Sequence, residues 1–207
     1  MWELIGTGGW VMAPIILSSV LAIAIIAERA WILRRSRVAP ADLVPEVWRL
    51  MTINALGPVN LRRLRAGSPL GRVIAAGVIH AQGPRSAMLE RIEETGRAEA
   101  MQLERHLNTL GTIAAVTPLL GLLGTVIGMI DVFSAINTRG LDDNRALAGG
   151  IGEALVTTGA GLAVAIPSVA AHRYLRGRAN RLVMAIEREA LKLADVLARN
   201  STPTGQI

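Results

Sequence analysis

Residues 107–130 read LNTLGTIAAVTPLLGLLGTVIGMI, and residues 154–171 read ALVTTGAGLAVAIPSVAA. Neither run carries an acidic or basic side chain. At about 1.5 Å per residue, a helix over either run can cross a hydrocarbon core of roughly 30 Å, given some tilt or polar ends. Their small and polar content sets them apart from plain anchors. Ala114, Pro118, Gly121, Thr125 and Gly128 recur at steps of four, three, four and three, and Ala154, Thr158, Gly161, Ala165 and Ser168 repeat those steps. Such a stripe lies on one helix face, where small residues let backbones approach closely. A helix facing only lipid would need no such stripe, so the two runs are read as lining something.

Working outward, Leu4 to Ala27 is a third uncharged run. Its only early charge is Glu3 and it runs into Glu28-Arg29 without a small-residue cleavage site, so it reads as a retained anchor rather than a signal peptide. The 207 residues are 51% hydrophobic with mean hydropathy +0.41, and the charges are segregated from the three apolar runs. The expected fold class is an all-α integral membrane protein with three transmembrane helices, the second and third extended into the cytoplasm.

Arginine placement orients the chain. Residues 28–106 hold 13 Arg and the tail from His172 holds six Arg with Lys192, against Arg139 and Arg145 alone in the loop from Asp131 to Glu153. The positive-inside bias therefore predicts a periplasmic N-terminus (1–9), spans at 10–32, 107–137 and 148–172, a cytoplasmic helical segment (33–106), a periplasmic loop (138–147) and a cytoplasmic helix and tail (173–207). The pI near 11.2 needs no nucleic-acid partner, because arginines beside membrane ends meet anionic lipid. The chain has no cysteine, which excludes disulfides and thiolate metal sites.

Trp2 and Trp10 near one end of the first span and Trp31 near the other suit interface anchors. Gly57-Pro58, Gly67 and Pro69 break residues 41–81 into short helical pieces. Ser86 is expected to cap a helix after Gly83-Pro84, and Met88, Ile92, Leu103, Leu107 and Leu110 keep helical spacing, predicting one unbroken helix into the second span. Leu182, Ile186, Ala190, Leu193 and Leu197 carry a similar stripe beyond the third span, with fraying expected from Ser201. A turn is expected at Thr138-Arg139-Gly140, with Asp142 or Asp143 capping the third span.

Candidate chemistry is sparse. Pro118 and Pro167 each remove an amide donor inside a span, freeing the carbonyls of Ala114 and Ala163. One such proline reads as a tolerated kink; two beside small residues weaken that reading. Thr125 and Thr158 either bond back to their own helices or form a polar, water-accessible lining. Glu153 either sits at the outer headgroup level near a helix start or serves an ion pathway or partner. No Asp or Glu lies at mid-depth in any span, so a proton-carrying carboxylate would have to come from another subunit. Gly121, Gly124, Gly128 and Gly161 read as packing glycines. His80, His106 and His172 lack metal-ligand spacing, and no nucleophile stands beside a base, so neither cofactor nor enzyme chemistry is expected.

The run from Pro118 to Ile130, followed by Asp131-Val-Phe, resembles the second-span signature of the MotA/TolQ/ExbB proton-channel family. The run from Gly149 through Thr158 to Pro167 resembles its third-span signature. The resemblance is specific over about residues 107–175 and weak over 40–85. MotA-type stators carry a further span that this sequence does not show, and the opening Met-Trp-Glu-Leu with the short cytoplasmic segment resembles compact ExbB proteins more than TolQ. The resemblance implies a homopentameric ring in the bacterial inner membrane, around two copies of an ExbD-like single-span subunit whose Asp carries the proton. It further implies that protons are the transported ion and that a TonB-like transducer delivers force for siderophore and vitamin B12 import. By motif position it places Thr125 and Thr158 toward the partner Asp, Glu153 on the lumen side, and Pro118 and Pro167 at conformational coupling points. A passive membrane scaffold, and service to a Tol envelope-maintenance complex, stand as alternatives.

Overall fold

The computed structural model describes residues 9–53, 56–139 and 144–200. Their regular structure is helical throughout: α1 (Met12–Ile32), α2 (Arg35–Val38), α3 (Leu43–Thr52), α4 (Pro58–Gly67), α5 (Pro69–Ile79), α6 (Arg85–Glu104), α7 (Leu107–Arg139) and α8 (Asn144–Asn200). Among the described residues, three helical stretches are long and apolar enough to cross a membrane, one at α1, one within 85–138 and one within 148–197. Trp2, the turn at Gly140, the capping aspartates Asp142 and Asp143 and the tail from Ser201 lie outside the described residues. The chain divides into two compact units, residues 1–28 with 106–174 and residues 29–105 with 175–207.

The first unit contains α1 as far as Glu28, α7 and the first part of α8. Less than a third of each apolar span window is buried, and Leu17, Leu119, Leu122, Ile130, Leu155 and Ile166 are exposed. That surface suits lipid or further helices rather than water.

The second unit has a conventional amphipathic core. Met88, Ile92 and Leu103 of α6, and Leu175, Ala179, Leu182, Ile186, Ala190, Leu193 and Leu197 of α8, are all buried. The short pieces fall between the expected breakers. Pro58 and Pro69 open α4 and α5, where a missing amide costs nothing, and Ser68 caps α5 by accepting from the Gly71 amide at 3.1 Å. Ser86 is not a cap: α6 starts at Arg85, Pro84 occupies the cap position, and the Met88 amide donates to the Pro84 carbonyl.

The expected unbroken helix into the second span is interrupted at Arg105–His106. His106 has φ +63°, a left-handed conformation that an α-helix cannot contain, and the Leu110 amide restarts the ladder on its carbonyl. The apolar spacing persists across the break, which is why periodicity alone could not reveal it. The His106 Nδ1 lies 3.1 Å from the Glu28 carboxylate.

One ion pair in this unit is buried enough to test. Arg72 donates through Nε and Nη2 to the two Glu99 oxygens at 2.5 and 2.6 Å, with the Glu99 side chain 6% exposed and that of Arg72 35%. The hydrogen bond to Glu99 holds the Arg72 pKa above the ordinary arginine value against the opposing effect of burial. Losing one member of a fully buried pair costs about 3–5 kcal/mol, but Arg72 can turn toward water. Glu99→Ala is therefore expected to cost about 2 kcal/mol. Unfolding of the purified variant checks this; an unchanged transition would show that the pair contributes nothing.

Candidate functional site

Within the first unit, α7 and α8 meet along a seam of glycines. A Cβ on Gly161 would lie 2.8 Å from the Thr117 carbonyl oxygen and 3.1 Å from Gly121 Cα, and one on Gly121 would lie 3.1 Å from Thr158 Cα. A Cβ on Gly124 would overlap the Thr157 hydroxyl, and one on Gly128 would sit 2.8 Å from the Gly150 carbonyl and 3.0 Å from Ala154 Cβ. Backbone thus packs on backbone, the contact that small residues permit where no hydrophobic drive separates helices from lipid. The buried line runs through Ala114, Thr117, Gly121, Gly124, Gly128 and Val132 on α7, and Ala154, Thr157, Gly161, Ala165 and Ser168 on α8.

This line differs from the small-residue stripes read in the sequence at three places. Thr117 stands in it instead of Pro118, Gly124 instead of Thr125, and Thr157 instead of Thr158. Pro118, Thr125 and Thr158 are half-buried along its flank. The two stripes are thus occupied largely by each other. Pro167 is exposed.

The hydroxyls divide accordingly. Thr117 and Thr157, 0% and 1% exposed, are spent on their own helices, Thr117 donating to the Ile113 carbonyl at 2.6 Å and Thr157 lying 3.0 Å from those of Glu153 and Ala154. Thr125 also donates within its helix, to Leu122 at 2.6 Å. Thr158 instead crosses the seam and donates to the Gly121 carbonyl at 2.9 Å. A carbonyl only accepts, so the Thr158 proton is committed and its oxygen lone pairs remain as acceptors on the flank.

Glu153 is half-buried near the start of the apolar part of α8, and its carboxylate lies against Gly9. Gly9 has φ +60°, and its carbonyl accepts from the Met12 amide at 3.2 Å to start α1. The backbone angle strains any residue but glycine there, and an added Cβ would have to displace the carboxylate. The contact places the beginning of the first span beside the beginning of the third. Sequence reading singled out Glu153 but missed Gly9, Thr117, Thr157 and Gly150; the seam residues sit one position from stripe members or extend the stripe by one turn. No cluster of His, Asp or Glu suited to a metal occurs among the described residues.

Comparison with known proteins agrees with this architecture. The model of the MotA/TolQ/ExbB proton channel family matches residues 65–188. The ExbB-like 3 biopolymer transport protein of Synechocystis sp. is 33% identical over 164 residues, covering 78% of each chain. The biopolymer transport protein exbB1 of Vibrio cholerae is 30% identical over 188 residues, covering 84% of this chain and 78% of its own. The Tol-Pal system protein TolQ of Haemophilus influenzae is 39% identical over a shorter 84 residues, 41% of this chain. With three apolar helical stretches, a glycine seam at both signature runs and matches that cover most of its length, the chain belongs to the MotA/TolQ/ExbB family of membrane proton channels.

Proposed function

We propose that this chain is the ExbB-like subunit of an inner-membrane motor that couples the proton motive force to TonB-dependent import across the outer membrane. The observation that carries the reading is the flank of the glycine seam. Thr158 presents acceptor lone pairs on the flank of the seam, where Thr125 and Pro118 are also half-buried, in spans that hold no acid at mid-depth. A protonated carboxylic acid on a partner helix donates to such an oxygen, whereas an ionised one finds no free proton there. The hydroxyl then favours the neutral acid on its way between the two faces of the membrane. An ExbD-like single-span subunit supplies that acid, Glu153 lies on the proton path at the periplasmic side, and Pro118 and Pro167 couple helix bending to passage. A homopentamer encloses two partner helices, the exposed apolar surfaces of the spans face lipid and neighbouring subunits, and the N-terminus lies outside, a reading that the arginine asymmetry supports.

The broader match to ExbB-named relatives favours TonB-type over Tol-type service, with the TolQ relative marking the second reading. The native mass of the purified protein, alone and co-expressed with its single-span partner, tests the assembly. Five copies are expected alone, and five with two partner helices on co-expression. A monomer or dimer indifferent to that partner would sink the proposal and favour a passive scaffold. Co-purification of a TolA-like rather than a TonB-like protein would favour the Tol reading.

A further inference from the structure

The four arginines at and just beyond the end of α1 face two ways. Arg29 is buried, 3% exposed, with Nη1 donating to the Gln102 carbonyl at 3.2 Å. Arg34, Arg35 and Arg37 are all exposed, and no carboxylate among the described residues lies within ion-pair distance of any of them. Elsewhere in the same unit Arg72, Arg85, Arg91 and Arg97 each have an acidic partner. The exposed trio is held in a defined place. Leu33, Val38 and Ala39 on either side are buried, at 0%, 1% and 7%, and the Leu33 carbonyl accepts from Arg178 Nε at 2.6 Å. The Arg37 and Val38 amides close on the Arg34 carbonyl at 2.9 and 3.1 Å. Trp31, 58% exposed, lies under the Arg37 guanidinium at 4.9 Å from ring centroid to Cζ.

We infer that Trp31, Arg34, Arg35 and Arg37 form a binding site for the headgroup of an anionic phospholipid. An exposed indole at the end of an uncharged span sits at the headgroup level, and the cation over its face holds Arg37 at that depth. Arg34 and Arg35 then offer guanidinium forks that suit phosphate oxygens, and no described carboxylate within ion-pair distance competes for them. A nucleic acid would present phosphates too, but not beside an apolar span with an exposed Trp at its edge. The buried anchors on both sides make the cluster a fixed site rather than a mobile basic tail. The inference rests on the proposed membrane placement of α1 and not on the motor partner, so failure to recruit that partner leaves it standing.

Native mass spectrometry of the full chain in detergent, titrated with phosphatidylglycerol or phosphatidylcholine, tests it. Phosphatidylglycerol adducts per protomer are expected to exceed phosphatidylcholine adducts at least fivefold. R34Q/R35Q/R37Q is expected to remove that excess, while R49Q/R62Q/R65Q, which loses the same charge elsewhere in the unit, keeps it. Should the triple variant not fold, R35Q and R37Q singly are expected to halve the excess. Equal loss in both triple variants, no loss in either, or single variants that retain the full excess would overturn the site. Displacement by millimolar inorganic phosphate at unchanged ionic strength would reassign it to a free anion and overturn the lipid.

Discussion

Gly161→Val is expected to break the α7–α8 seam and destabilise the protein by about 3 kcal/mol. The added Cβ alone would stand 2.8 Å from the Thr117 carbonyl oxygen and 3.1 Å from Gly121 Cα, and both obstacles are backbone. Neither moves without moving a helix. Separation at this point also opens the neighbouring contacts of Gly121 with Thr158 and of Gly124 with Thr157, so packing is lost over several turns. Gly161→Ala should show the same effect at about 1–2 kcal/mol, whereas Gly96→Ala on α6, where an added Cβ meets nothing within 4 Å, should be neutral or gain about 0.5–1 kcal/mol of helix propensity. Resistance of the purified proteins to denaturant measures the ranking. A Gly161→Val protein as stable as the parent would mean that the seam is not a tight contact.

Thr158→Val is expected to do the reverse, keeping the structure and losing the activity. Valine matches threonine in shape, and the Gly121 carbonyl, which loses the Thr158 donor, retains its helical amide partner, so stability should change by less than about 1 kcal/mol. The oxygen facing the flank is gone, however, and under the proposed function a partner's carboxylic acid then has nothing to donate to. Proton flux in proteoliposomes holding the chain with the proposed single-span partner should fall at least tenfold, with Thr158→Ser keeping most of it. An unchanged native mass separates this effect from misassembly. Full flux in Thr158→Val would assign the hydroxyl to helix pairing alone, and energised uptake at the normal level would support the scaffold.

The contrast between these two positions shows how far a linear reading reaches. Gly161 and Thr158 lie on the same small-residue stripe, yet one is walled in by backbone and the other stands at the edge. Residues 117 and 118, 124 and 125, and 157 and 158 are each about 100° apart on their helices. Either member keeps a three–four spacing with the rest of the stripe. The choice between them depends on the angle at which the second helix arrives, which is a property of the pair and not of either sequence.

What the sequence determined by itself is whatever depends on local free energy. The three apolar stretches follow from transfer of side chains out of water, the short pieces between residues 43 and 79 from proline and glycine, and the buried stripe from Leu182 to Leu197 from helical periodicity. Tertiary structure alone decided where α6 ends and α7 begins, because His106 adopts a left-handed angle that apolar spacing does not record. It also decided that Arg29 turns inward while Arg34, Arg35 and Arg37 turn out, and that Glu153 meets Gly9. Each of these depends on which groups from distant parts of the chain come within a few ångströms, and at that range shape, not composition, sets the energy.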